Sequence, residues 1–184
     1  MASVFSHAIV GLSLGSVFYR RGAPNRIWAA GALCAVVPDI DVIGFHFGVH
    51  YGDFWGHRGF THSLLFAAVT ALVVGFAICR THGCGIKRWL VVLYLFLATA
   101  SHSVLDAMTN GGLGVAFLAP FENSRYFLPW RPILVSPIGV GRFFGARGLA
   151  VLKSELLWVW LPALLFAAAV LVSRRLRENT AETS

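Results

Sequence analysis

Five stretches of the chain are apolar runs: Val4 to Tyr19, Ile27 to about Phe45, Phe60 to Cys79, Trp89 to Met108, and Leu149 to Val172. Read as helices, the third, fourth and fifth approach the ~20 apolar residues needed to span a bilayer. The first two are short or interrupted. In VPDID the proline predicts the end of the second helix near Val37, which leaves Asp39 and Asp41 on irregular backbone. Pro162 predicts a kink in the last helix. The connection from Thr109 to Gly148 contains GGLG, FLPWRP and SPIGVG, a glycine and proline content that predicts a loop or re-entrant segment on the bundle mouth. The expected fold is all-α, an integral membrane helical bundle of about five segments with one long loop. Residues 1–173 would form a single membrane-embedded domain, and 174–184 a mobile, basic cytoplasmic tail.

Composition agrees with that reading. Of 184 residues, 57% are hydrophobic and 12% charged, far from the roughly one quarter charged of a soluble domain. The net charge of +7 does not indicate nucleic acid, because the basic residues fall between apolar runs and form no polar face. They cluster at Arg20, Arg21 and Arg26, at Arg80, Lys87 and Arg88, and at Arg174, Arg175 and Arg177. Five alternating crossings put all three clusters on one side, cytoplasmic by the positive-inside rule, with the N-terminus outside. No basic stretch precedes the first apolar run, so it reads as a retained helix and not as a secretory signal. Cys34, Cys79 and Cys84 form no CxxC pair and read as packing residues. Trp55, Trp89, Trp130, Trp158 and Trp160 suit the interfacial aromatic belts.

The polar residues are segregated as well. Asp39, Asp41, Asp53 and Asp106 fall at the external ends of segments, as do six of the seven histidines, with His82 alone on the other side. At ~1.5 Å of rise per residue, His7 stands ~18 Å above Tyr19, Asp39 ~20 Å above Arg26, His102 ~20 Å above Trp89 and His62 ~27 Å above Arg80. All four can meet near one face of the membrane. In SHSVLDAM, His102 and Asp106 stand one turn apart on one helical face, where an imidazole and a carboxylate can share an ion. In GHRGFTHS, Gly59 allows a tight entry turn, Thr61 suits a helix N-cap, and His57 and His62 flank the helix start. Seven candidate ligands (His7, Asp39, Asp41, His57, His62, His102 and Asp106) exceed one tetrahedral site and predict two divalent ions, which can together activate water and hold a phosphoryl oxygen. Nitrogen and oxygen donors suit zinc first, with manganese or iron also compatible. His46, His50 and Asp53 read as loop residues.

VPDID, GHRGFTHSLL, SHSVLDAMTNGG and RYFLPWRPI, in order from His7 to about Ile133, resemble the YdjM-type family of bacterial inner-membrane proteins, described as LexA-regulated, membrane-bound metal-dependent hydrolases. The family is similar at a distance to zinc-dependent phospholipases C. The resemblance implies metal ligation by the same seven residues and hydrolysis of a phosphoester.

The expected function is a phosphoesterase acting on a lipid or lipid-linked phosphate at the outer face of the inner membrane. Asp41 would take a proton from water, and Arg58, Arg125 and Arg131 would neutralise the substrate phosphate. Two rivals use the same ligands: divalent-metal transport, which needs polar positions through the whole bilayer, and a non-catalytic protein stapled by metal. A zinc protease is disfavoured because HExxH does not occur.

Overall fold

The computed structural model describes residues 1–18, 23–82, 84–138 and 140–182. Tyr19, Arg20 and Arg21, and the side chains of His82 and Arg142, lie outside the described residues. The fold is all-α. Helix α1 (Val4–Phe18) is followed by α2 (Arg26–Cys34), a 3-10 segment (Val37–Phe47) and a short 3-10 turn (Phe60–His62). Then come α3 (Leu64–His82), α4 (Arg88–Ala107), the single turn α5 (Val140–Phe143), α6 (Ala146–Glu155), a π turn (Leu156–Trp160) and α7 (Leu161–Glu182).

Two spans among the described residues, Arg88–Ala107 and Ala146–Thr180, are long and apolar enough to cross a membrane; α2 with its 3-10 continuation, bent by 45°, makes a third if counted as one span. The expected five crossings are thus two or three long spans plus two shorter apolar helices, Val4–Phe18 and Leu64–Arg80. Pro162 does not break the last span. The π turn just before it accommodates the missing N–H, and 35 residues run on continuously. The basic tail is also helical, because α7 extends through Arg174, Arg175 and Arg177 to Glu182.

α1, α2, α3 and α4 form the compact part of the bundle, and α7 packs chiefly on α1. Their apolar core joins Ile27, Ala71, Val91, Tyr94, Leu95 and Ala98. Small residues let the backbones approach, as is usual between helices in lipid. A Cβ on Gly31 would lie 1.8 Å from the Tyr94 hydroxyl oxygen, which itself donates to Gly11 O at 3.1 Å. All three cysteines pack in this core, as expected, but the sulfur atoms of Cys79 and Cys84 are joined in a disulfide that was not expected, and Cys34 is free.

After Pro38 the backbone is a regular 3-10 helix, with proline in its first turn where no N–H is required. At three residues per turn, Ile40, Ile43 and His46 share its exposed face while Asp39 and Asp41 are buried. Thr61 does not cap α3. Ser63 does, its Oγ accepting from Phe66 N–H at 3.0 Å.

The long connection holds no regular helix from Thr109 to Pro137 and lies over one end of the bundle. Bridges pair Thr109 with Ile133 and Val115 with Tyr126. Ala116 N–H donates to Arg58 O, Leu64 N–H to Phe117 O and Leu128 N–H to Ala107 O. This loop therefore seals the end where α3 begins and α4 finishes.

Candidate metal centre

All seven expected ligands converge beneath that loop. α4 presents His102 and Asp106, the 3-10 segment presents Asp39 and Asp41, α1 presents His7, and the turn before α3 presents His57 and His62. His7, His57, His62, His102 and Asp106 are wholly buried, and Asp39 and Asp41 are buried at 6% and 7% residue exposure, with both Asp39 carboxylate oxygens shielded from solvent.

The donors fall into two groups that share His62. Asp39, His62, His102 and Asp106 can each offer one ligand atom to a common point, and so can Asp41, His57 and His62. In the first group His102 Nδ1 hydrogen-bonds Ala35 O at 2.8 Å. That fixes the tautomer and turns the Nε2 lone pair inward, the arrangement common in metal-ligating histidines. His102 Nε2 lies 3.0 Å from His62 Nε2 and 3.3 Å from Asp39 Oδ1. Two nitrogens bound to one tetrahedral zinc would be ~3.3 Å apart, given Zn–N bonds of about 2.0–2.1 Å, so the spacing fits a shared ion. His7 stacks on His102 with ring centroids 3.7 Å apart and brings Nε2 to 3.6 Å from Asp106 Oδ1.

In the second group Asp41 is heavily engaged. Its Oδ1 meets His57 Nδ1 at 2.8 Å, and its Oδ2 accepts from Thr61 Oγ1 at 2.7 Å and from Arg58 N–H at 3.3 Å. A carboxylate with both oxygens occupied is better placed to hold and orient His57 than to take a proton from water. Burial keeps the His57 imidazole below its ordinary pKa in spite of Asp41. Asp39 and Asp41 avoid mutual repulsion because the 3-10 helix turns one toward each group.

Several buried polar atoms have no hydrogen-bond partner: both nitrogens of His7, both oxygens of Asp39, and His57 Nε2. Such orphans are rare, and an ion is one of the ordinary explanations. Charge points the same way. Three buried carboxylates (Asp39, Asp41 and Asp106) face one buried guanidinium, Arg58. With every imidazole neutral the cluster would carry surplus negative charge, costly in a low-dielectric interior unless a bound cation, or a proton on His62 among the three carboxylates, offsets it.

Arg58 differs most from its expected role. It is fully buried with φ of 65°, rare for a residue other than glycine. Its Nε donates to Asp106 Oδ2 at 3.0 Å, Nη1 to Gly111 O at 2.8 Å and Nη2 to Thr109 Oγ1 at 2.8 Å. The left-handed backbone aims the side chain inward, where it holds Asp106 and ties the loop to the centre. It is not exposed to a substrate phosphate. Neighbouring Gly59 is required by close approach, since a Cβ there would lie 2.3 Å from Phe54 O.

Arg125 is also committed elsewhere. It donates from Nη1 to His57 O at 2.7 Å and from Nη2 to Tyr51 O and Asp53 O at 3.1 and 3.0 Å. Arg131 is exposed and lies over the Phe127 ring, 4.6 Å from its centroid. His46, expected in a loop, is on the exposed face of the 3-10 helix, and His50 is an exposed loop residue that pairs with Asp53 at 3.6 Å.

Sequence reading missed some supporting groups. Ala2 N–H donates to Asp106 Oδ1 at 2.7 Å, and Ser103 Oγ donates to His62 O at 2.7 Å. Glu155 is wholly buried and accepts from Ser3 N–H and Ser3 Oγ, both at 2.5 Å. A signal for Glu155 existed: it is the one carboxylate in the run Leu149 to Val172, and ionisable groups inside such runs are seldom idle.

These features define a helical membrane protein with a buried His/Asp cluster able to hold metal. The chain belongs to the YdjM inner membrane protein family, whose match covers residues 1–179. It is 43% identical over 176 residues to inner membrane protein YbcI of Escherichia coli K12, covering 95% of this chain and 100% of that protein. It is 33% identical over 109 residues to the uncharacterized protein YvsG of Bacillus subtilis 168, covering 55% of this chain and 63% of that one. No solved structure matches.

Proposed function

We propose that this protein is a metal-dependent hydrolase of a phosphoester in a lipid or lipid-linked molecule, acting at the outer face of the inner membrane. The observation that carries the reading is the pair of donor groups joined at His62, with orphaned ligand atoms in each. When bound, two divalent ions supply an acidified water and Lewis-acid stabilisation of the phosphoryl oxygens. Asp39, His62, His102 and Asp106 would hold one ion, with His7 beside it; Asp41, His57 and His62 would hold the other, and His62, serving both groups, would do so as an imidazolate that has given up its ring proton. Two divalent charges exceed the surplus of the carboxylates over Arg58, leaving a net positive site suited to a phosphate. The neutralisation first expected of Arg58 and Arg125 thus falls on the ions. Arg58 becomes a positioning residue for Asp106.

The route to the centre supports a lipid substrate. The 3-10 segment that presents Asp39 and Asp41 exposes Ile40 at 59%, Ile43 at 51% and Phe47 at 81%. That edge suits an approach from the acyl region. Transport is disfavoured, because the other half of the bundle is filled by the apolar core around Tyr94. A structural metal is the second reading, favoured by the depth of burial of every ligand. The outer-face assignment rests on the distribution of basic residues. The Cys79–Cys84 disulfide beside Arg80 and Lys87 opposes it, since disulfides persist in oxidising compartments. A reporter fused after Ser184 decides between these signals.

The test of the hydrolase reading is lipid turnover by detergent-purified, metal-loaded protein against a panel of phospholipids and lipid-linked phosphates, beside Asp39→Ala. Product from wild type alone supports catalysis. Stoichiometric metal without turnover of any substrate favours the structural reading.

A further inference from the structure

At the opposite end of the bundle from the His/Asp centre, α7 stands away from the helices other than α1 and leaves a groove of about 1890 Å³. This exceeds the ~300–1,000 Å³ of a small-molecule pocket. Its walls are apolar, built from Leu12, Trp28, Leu90, Leu164 and Leu171. Its mouth is basic: Lys87, Arg174, Arg175 and Arg177 line it with a single acid, Glu178. Arg174 Nη2 donates to Val17 O and so closes one end of the groove against α1. Ser16 also lines the groove, is only 9% exposed, and has a buried hydroxyl without a hydrogen-bond partner.

We infer that this groove is a binding site for an anionic phospholipid, with its acyl chains along the leucine walls and its phosphate among Lys87 and the α7 arginines. The combination selects this ligand. A wholly apolar cleft would accept any lipid tail, and a basic patch on a polar surface would accept any anion. A long apolar groove with a cationic mouth, on a helix that runs in the membrane, is complementary to an acidic headgroup carrying hydrocarbon chains. Juxtamembrane arginines attract such lipids additively, and the orphaned Ser16 hydroxyl offers a donor within the groove. Occupancy would bridge α7 to α1 and α4.

The test is native mass spectrometry of the full chain in mild detergent, titrated with phosphatidylglycerol and, separately, phosphatidylcholine. Phosphatidylglycerol should bind at least tenfold more tightly. Arg175→Gln and Arg177→Gln should each weaken it about fivefold and leave phosphatidylcholine unchanged, while Arg147→Gln, which does not line the groove, should change neither. Ala167→Trp, which fills the groove without altering charge, should abolish retention of both lipids. If Ala167→Trp does not fold, the glutamine variants still decide. Equal affinity for the two lipids, or affinity unaffected by Arg175→Gln and Arg177→Gln, would overturn the site. So would a dimer that retains no lipid, because a second copy would then cover the groove.

Discussion

Helix α4 joins two regions of opposite character. Its first half contributes Val91, Tyr94, Leu95 and Ala98 to the apolar core, and its second half presents His102 and Asp106 to the centre. Toward the core the polar atoms are satisfied within the protein: Tyr94 Oη donates to Gly11 O and, near mid-helix, Thr99 Oγ1 to Leu95 O. Around the second half the unpaired atoms of His7, Asp39 and His57 remain. Both regions are equally buried, yet only one is complete as a set of protein atoms. The contrast teaches that the core is self-sufficient, whereas the centre leaves ligand atoms that a cation could satisfy.

Metal should therefore govern one half and leave the other indifferent. Arg58→Met would leave Asp106 buried without its guanidinium, a loss of about 3–5 kcal/mol for a broken buried pair. The loss should be largest in chelator and smaller in excess metal, as read by thermal unfolding in detergent. Chelation of wild type removes a ligand of the folded state alone, worth about 4 kcal/mol at a thousandfold excess over Kd. It should lower Tm by roughly 10 °C, at about 2–4 °C per kcal/mol for a chain of this size. Gly31→Ala drives a methyl into Tyr94 and should cost about 1–3 kcal/mol or more by overpacking, with the same cost in chelator as in metal. A metal-dependent cost would break the comparison. Ser63→Ala removes the α3 cap and should cost about 1 kcal/mol. Because Ser63 adjoins His62, a measurable loss of metal affinity on top of that would sharpen the link between the α3 start and the site.

Much of the centre was legible in the sequence because membrane helices restrict where ionisable side chains can go. Depth along each run and the i, i+4 spacing of His102 and Asp106 were enough to bring the seven candidate ligands to one end. The fate of Arg58 was not legible. An arginine at a helix mouth ordinarily reaches for the interface, and its inward turn depends on a left-handed backbone and on Thr109 and Gly111, about fifty residues away in sequence. The regular backbone after Pro38 was hidden for a related reason: proline forbids continuation of an α-helix but suits the first turn of a new one. Thr61 looked like a cap because the residue type fits, but Asp41 competes for its hydroxyl. The Cys79–Cys84 pairing depends on how the α3–α4 connection folds back, which three cysteines with no CxxC do not announce.

The most direct test of the central claim is metal content by inductively coupled plasma mass spectrometry, on protein purified in detergent without chelator, wild type beside His62→Ala. The account predicts about two divalent ions per wild-type chain and loss of both when the shared imidazole is removed, with Asp41→Ala losing only one. A wild-type protein that is folded and metal-free would contradict it, and the orphaned atoms of His7, Asp39 and His57 would then need another partner.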